Sequence, residues 1–117
     1  MDPIALALGI SWTVAGLVII GISIPLARGR VGRNRLYGIR FPNAFESDEA
    51  WYAINRHGGR CLIAWAVPLV VVGVACFFIP FRSHTSLTLV LGFAPLIFVL
   101  VPAFQAWRFA RNYRAGT

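Results

Sequence analysis

Three long apolar stretches alternate with shorter polar ones along this chain. They run from Ile4 to Leu26, from Cys61 to Pro80 and from Leu87 to Trp107, and none contains a charged residue. Each holds about 20 residues or more, the length a helix needs to cross ~30 Å of hydrocarbon. In lipid the backbone must satisfy its own hydrogen bonds, so each stretch predicts a spanning α-helix. The expected fold is therefore all-α: an integral membrane protein with three transmembrane helices in one domain, 1–117. The first stretch is too long for the apolar core of a cleavable leader and follows no basic segment, so it should remain as a span.

Within the spans, Pro25, Pro68, Pro95 and Pro102 each remove a backbone donor, which predicts kinks near the last three. Ser11, Thr13 and Ser23 are expected to bond back to the preceding turn. Ala5, Gly9 and Thr13 recur at four-residue spacing, with Gly16 further along. Such a stripe of small residues lets helices approach closely, and packing within one chain or between copies would use it equally well. The short segment 81–86 predicts an antiparallel hairpin of the second and third spans.

The polar segment 27–60 has structure of its own. Ser47 can cap a helix whose first turn carries Asp48 and Glu49, where the helix dipole favours acids. Trp51 and Ile54 then fall on one face. This predicts a short interfacial helix that bends at Gly58-Gly59 into the second span, with Trp51 turned toward lipid, as an anchor at headgroup depth, or toward the bundle.

Charge sets the orientation. The chain is 58% hydrophobic and only 13% charged, with a net charge of +7; soluble domains carry about 25% charged residues. Every basic residue is arginine. Arg28, Arg30, Arg33, Arg35, Arg40, Arg56 and Arg60 lie in the long polar segment, and Arg108, Arg111 and Arg114 in the tail, against Arg82 alone in the hairpin turn. The positive-inside rule predicts a cytoplasmic loop and tail, with the N-terminus outside, in the plasma membrane. The counter-charge expected for these arginines is anionic lipid headgroups, not nucleic acid. Cys61 and Cys76 would be ~22 Å apart on one helix, too far for a disulfide.

The polar segment also carries a motif. It reads Asn34-Arg35-Leu36-Tyr37-Gly38-Ile39-Arg40-Phe41-Pro42, then Ser47-Asp48-Glu49-Ala50-Trp51, then Asn55-Arg56-His57-Gly58-Gly59-Arg60. This pattern resembles the SdpI/YfhL family of bacterial membrane proteins. The resemblance implies a role in immunity to, or sensing of, a membrane-active peptide, exerted by binding. It marks Asn34, Tyr37, Gly38, Arg40, Pro42, Ser47, Glu49, Trp51 and Asn55 as the binding candidates. The chain departs from the family pattern at Phe41, Asn43 and Ala44, where threonine, tryptophan and threonine are usual. Arg40 sits between Gly38 and Pro42, two conformationally special residues. Close to hydrocarbon it must find a partner, because it cannot lose its proton. Glu49 is the expected partner, with a helix's terminal carbonyls as the alternative.

Catalytic chemistry is not visible. His57 and His84 are expected at opposite ends of the spans, and His57 with Glu46, Asp48 and Glu49 lacks metal-ligand spacing. No cofactor is implied. No ionisable residue lies within a span, which argues against autonomous transport. Two readings follow: a peptide-binding immunity or sensing protein, or a structural accessory subunit whose spans pack on another membrane protein.

Overall fold

The computed structural model describes residues 2–34 and 36–113. Arg35 and the tail's Arg114 lie outside the described residues. The described chain is all-helical: α1 (Pro3–Ala27), α2 (Asp48–Cys76), α3 (Thr85–Phe93) and α4 (Ile97–Asn112), with short 3-10 turns at Pro42–Phe45, Phe81–Ser83 and Ala94–Leu96. Helices α1, α2 and the combined α3–α4 segment Thr85–Asn112 are each long and apolar enough to cross a membrane. The molecule measures 56 × 22 × 20 Å. Its long axis exceeds the ~30 Å of a hydrocarbon core, so part of it must stand outside.

Helix α2 is the central element, packed against both α1 and α4. The small-residue stripe of α1 serves this intramolecular contact. A Cβ on Gly9 would lie 2.8 Å from the Phe77 ring, one on Gly16 2.5 Å from Val70, and one on Gly73 of α2 2.4 Å from the backbone of Thr13. Residue numbers rise along α1 as they fall along α2, so the two run antiparallel. The hydroxyls of Thr13 and Ser23 are buried in this seam without a partner among the described residues. The expected bonds back to the preceding turn are not made there, and size is what these positions contribute.

Segment 48–57 is helical, as its cap predicted: Ser47 Oγ accepts from Ala50 N at 3.0 Å. It is, however, the beginning of α2 itself, which runs unbroken through Gly58 and Gly59. These glycines mark close approaches, not a joint. A Cβ on Gly58 would collide with the Ile39 side chain, and one on Gly59 would stand 2.8 Å from Ala27 N. Trp51 takes the bundle side, one of the two placements expected of it. Trp51 is fully buried among Ala44, Ile54 and Ala110, and its indole N–H donates to Val31 O at 2.9 Å.

The third span is the one proline interrupts. It breaks into α3 and α4 at Ala94–Leu96, around Pro95. The missing N–H of Pro95 deprives Leu91 O of its helical donor, and Trp12 of α1 supplies one, its Nε1 donating to that carbonyl at 3.0 Å. At Pro68 and Pro102, α2 and α4 continue without a break. The second span ends earlier than its hydropathy suggested, at Cys76. Phe77–Pro80 turns instead, because Phe81 folds back to pack on Ala5 and Cys76. Both cysteines are free.

Asp2 closes this end. Its carboxylate caps α1 by accepting from Ile4 N at 2.8 Å and accepts from Arg82 N at 2.7 Å. The opposite end gathers residues 28–47, the start of α2 and the end of α4. Loop and tail are thus together, with the N-terminus and hairpin turn at the far end.

Candidate functional site

The loop between α1 and α2 is a folded unit, built largely by side chains bonding to backbone. Asn34 Oδ1 accepts from Leu36 N at 2.9 Å and Tyr37 N at 2.6 Å, while its Nδ2 donates to Gly32 O at 2.8 Å. This Asx turn reverses the chain. Tyr37 then reaches back along α1, its hydroxyl donating to Ile22 O. Gly38 follows at φ +121, a region that disfavours other residues. A Cβ there would also stand 2.9 Å from both Asn55 Oδ1 and the Trp51 ring.

Asn55 is the keystone of the loop. It is 2% exposed, and one amide bonds both polar groups of Ile39. Its Oδ1 accepts from Ile39 N at 2.6 Å, and its Nδ2 donates to Ile39 O at 3.3 Å and Trp51 O at 2.9 Å. Buried backbone groups must be paired, and here a helical side chain replaces a neighbouring strand. Pro42 opens the 3-10 turn, where its missing donor costs nothing.

The three departures from the family pattern lie in and beside this turn. Ala44 is fully buried, and Phe41 packs on the same cluster. Asn43 Nδ2 donates to Ala110 O at 2.9 Å, capping the end of α4. Tyr113 adds a second tie to the tail, its hydroxyl donating to Glu49 Oε1 at 2.9 Å. Desolvation, then the bond to Glu49 and its charge, push the Tyr113 hydroxyl above its ordinary pKa. Neither Arg40 nor Glu49 is without a partner.

With the motif folded this way, its surface presents an open cleft of about 880 Å³ walled by Arg33, Asn34, Arg40 and Phe45. Arg33 is held in place, donating to Phe45 O at 3.1 Å and standing 3.4 Å from Asp48. A smaller groove of about 350 Å³ lies between residues 38–41 and α2 and α4, and Arg40 lines it too. Of the nine candidate residues, only Asn34 and Arg40 wall the cleft. Tyr37, Gly38, Pro42, Ser47, Glu49, Trp51 and Asn55 shape or tie down the loop.

Arg33 and Phe45 of the cleft were missed, as were the tail contacts of Asn43 and Tyr113. The arginine run containing Arg33 reads as an undifferentiated basic flank in sequence. No local signal links Asn43 to a residue 67 positions away. Among the described residues no group of three or more His, Cys, Asp or Glu could hold a metal ion. His57 stacks on Phe109, the ring centres 4.1 Å apart.

An all-helical chain with three membrane-crossing segments and a folded, arginine-walled loop at one end is a small polytopic membrane protein. The chain belongs to the SdpI/YfhL protein family, whose profile matches residues 30–103. Neither curated proteins nor solved structures provide a match.

Proposed function

We propose that the chain acts by binding, not by catalysis, in immunity to or sensing of a membrane-active peptide, with the loop from Tyr37 to Arg60 as its working part. What supports this reading is how the motif side chains are used. Asn34, Tyr37, Trp51 and Asn55 bond to backbone groups and hold one loop conformation, while Arg33, Arg40 and Phe45 line an open cleft. A preorganised surface with cations and an aromatic ring suits a peptide's carboxylates and apolar side chains. By the positive-inside rule this end faces the cytoplasm and the N-terminus lies outside, in the plasma membrane.

The test is protection. Sensitive cells expressing the chain are challenged with membrane-active peptides. Survival conferred by the wild type should fall with Arg33→Ala and Arg40→Ala while membrane abundance stays level. Undiminished survival in both variants at equal abundance sinks the cleft reading. A second reading, a structural accessory subunit, draws on the thin packing of the third span, only 11% of whose most apolar stretch is buried. Mild-detergent purification decides for it if a large partner co-purifies in stoichiometric amount.

A further inference from the structure

We propose that the groove between α2 and α4 at their charged ends is a site for one acidic phospholipid, its phosphate on Arg108 and Asn112 and its ester carbonyls on Gln105. The groove is lined by His57 and Cys61 of α2 and by Gln105, Arg108, Phe109 and Asn112 of α4. Its volume of about 430 Å³ falls within the ~300–1,000 Å³ of ordinary ligand pockets. Gln105, Arg108, Phe109 and Asn112 follow the three- and four-residue spacing of one helix face. His57 stacks on Phe109, the ring centres 4.1 Å apart, and so forms a flat wall against α4.

Arg108 brings a charge that the fold does not answer. Its neighbour Arg111 lies over the Trp107 ring at 5.3 Å, but among the described residues Arg108 makes neither a hydrogen bond nor an ion pair. No acid lines the groove. Asp2 is at the far end with Arg82 N, Asp48 stands beside Arg33, Glu49 takes the Tyr113 hydroxyl, and Glu46 follows the 3-10 turn of the loop. A cation near hydrocarbon needs a counter-charge, and a guanidinium meets phosphate oxygens bidentately. The level of the groove points to lipid as the source. Arg60 and Arg108 are the last charged residues before the uncharged runs of α2 and of the third span, so the groove straddles the depth where headgroups give way to hydrocarbon. Gln105 lies ~4.5 Å deeper than Arg108 by helical rise. Its Oε1 accepts from Trp65 Nε1 at 3.2 Å, which leaves its amide N–H groups as donors. A phospholipid carries ester carbonyls one glycerol unit below its phosphate, where those donors stand. A soluble phosphate would meet Arg108 and leave Gln105 without an acceptor. A zwitterionic headgroup would set its own ammonium beside Arg108 with no carboxylate to receive it, so a net-negative headgroup is favoured.

Arg108, Gln105 and Cys61 lie outside the cleft and outside the loop from Tyr37 to Arg60, so the site is tested without any peptide. The full chain in detergent is titrated with phosphatidylglycerol and, separately, with phosphatidylcholine of the same acyl chains, and bound lipid is read by native mass spectrometry. Phosphatidylglycerol should bind about tenfold more tightly, the scale of one charge-assisted contact. Arg108→Gln should remove that preference, whereas Arg30→Gln, at an exposed arginine of the same end, should leave it in place. Cys61 reports on the groove itself. Saturating phosphatidylglycerol should slow its alkylation by a maleimide severalfold, with no change at Cys76, which is buried outside the groove. Inorganic phosphate should protect neither thiol. Equal binding of the two lipids overturns the proposal. So does an equal effect of Arg30→Gln and Arg108→Gln, which would mean diffuse attraction. Unchanged alkylation of Cys61 at saturating lipid overturns it by placing the lipid elsewhere, and protection of Cys61 by inorganic phosphate overturns it in favour of a soluble anion. Should Arg108→Gln fail to fold, the lipid preference of the wild type and the protection of Cys61 decide alone.

Discussion

The two ends of the bundle are both closed by polar side chains on backbone groups, but by different chemistry. At the loop end most ties to backbone come from neutral amides and an indole: Asn34, Asn43, Asn55 and Trp51 act from three separate segments, while Arg33 with Asp48 and Tyr113 with Glu49 add charged contacts at the surface. At the turn end a single half-buried carboxylate, Asp2, caps α1 and holds Arg82 N. A neutral amide carries no desolvated charge into the interior, so it can be buried and still donate and accept. A carboxylate remains at the surface and remains titratable. The loop end is therefore a specified shape whose interior is held by uncharged groups, whereas the turn end keeps two spans in register.

The largest break in this contrast should come from Asn55→Leu. It orphans both backbone polar groups of Ile39, which are partly buried, at ~1–3 kcal/mol for each. We expect a loss of about 3 kcal/mol in detergent unfolding, with the loop opening first to protease. Retention of wild-type stability would mean that Ile39 finds other partners. Next comes the packing of the two ends. Gly59→Ala drives a Cβ against the backbone of Ala27, at 2.8 Å, whereas Gly9→Ala meets only the Phe77 ring, also at 2.8 Å. Overpacking costs ~1–3 kcal/mol, and a ring shifts more readily than a helix. Gly59→Ala should therefore lower the melting temperature more than Gly9→Ala, and the reverse order would show that the loop end is the more compliant one.

A smaller effect is expected at Arg40 and Glu49. If these two pair with each other, Arg40→Ala and Glu49→Ala should each cost about 1 kcal/mol, since exposed ion pairs contribute little. The double variant should then lose less than the sum. Strict additivity in the thermal melts would assign the two residues to separate partners. The smallest effect belongs to Asp2. Desolvation pushes its carboxyl upward, but bonds from the N–H groups of Arg82, Ile4 and Ala5, with the charge of Arg82, outweigh it and hold the pKa below the ordinary 3.8. A depressed folded pKa gives stability that is present above 3.8 and lost as pH falls through the lower folded value. Acid melting curves should show this decline in the wild type and not in Asp2→Asn. An identical decline in both would remove Asp2 from the account.

Much of the architecture was legible before the fold was seen, and the parts that were not share a cause. The three spans, the cap at Ser47 and the break at Pro95 rest on local properties: summed hydropathy, one side chain on its own helix start, one missing N–H. Gly58-Gly59 was misread because a glycine pair looks alike whether the chain bends there or another helix presses against it. For Trp51, lipid and bundle both stayed open because an indole suits headgroups and a buried core alike, and only the position of Val31 O decides. The loop motif was recognised as a unit, but most of its side chains serve its own conformation. The Arg33 and Phe45 walls of the cleft emerge only once the loop has folded.

Span number and the gathering of arginines at one end were determined by the sequence itself, because transfer of apolar and charged groups between water and lipid sums over neighbouring residues in the chain. The partners of Trp12, Asn43, Asn55 and Tyr113 were decided by the tertiary structure. Their bonds join residues 79, 67, 16 and 64 positions apart. Such contacts depend on how helices approach one another, and that geometry has no signature within any one stretch of sequence.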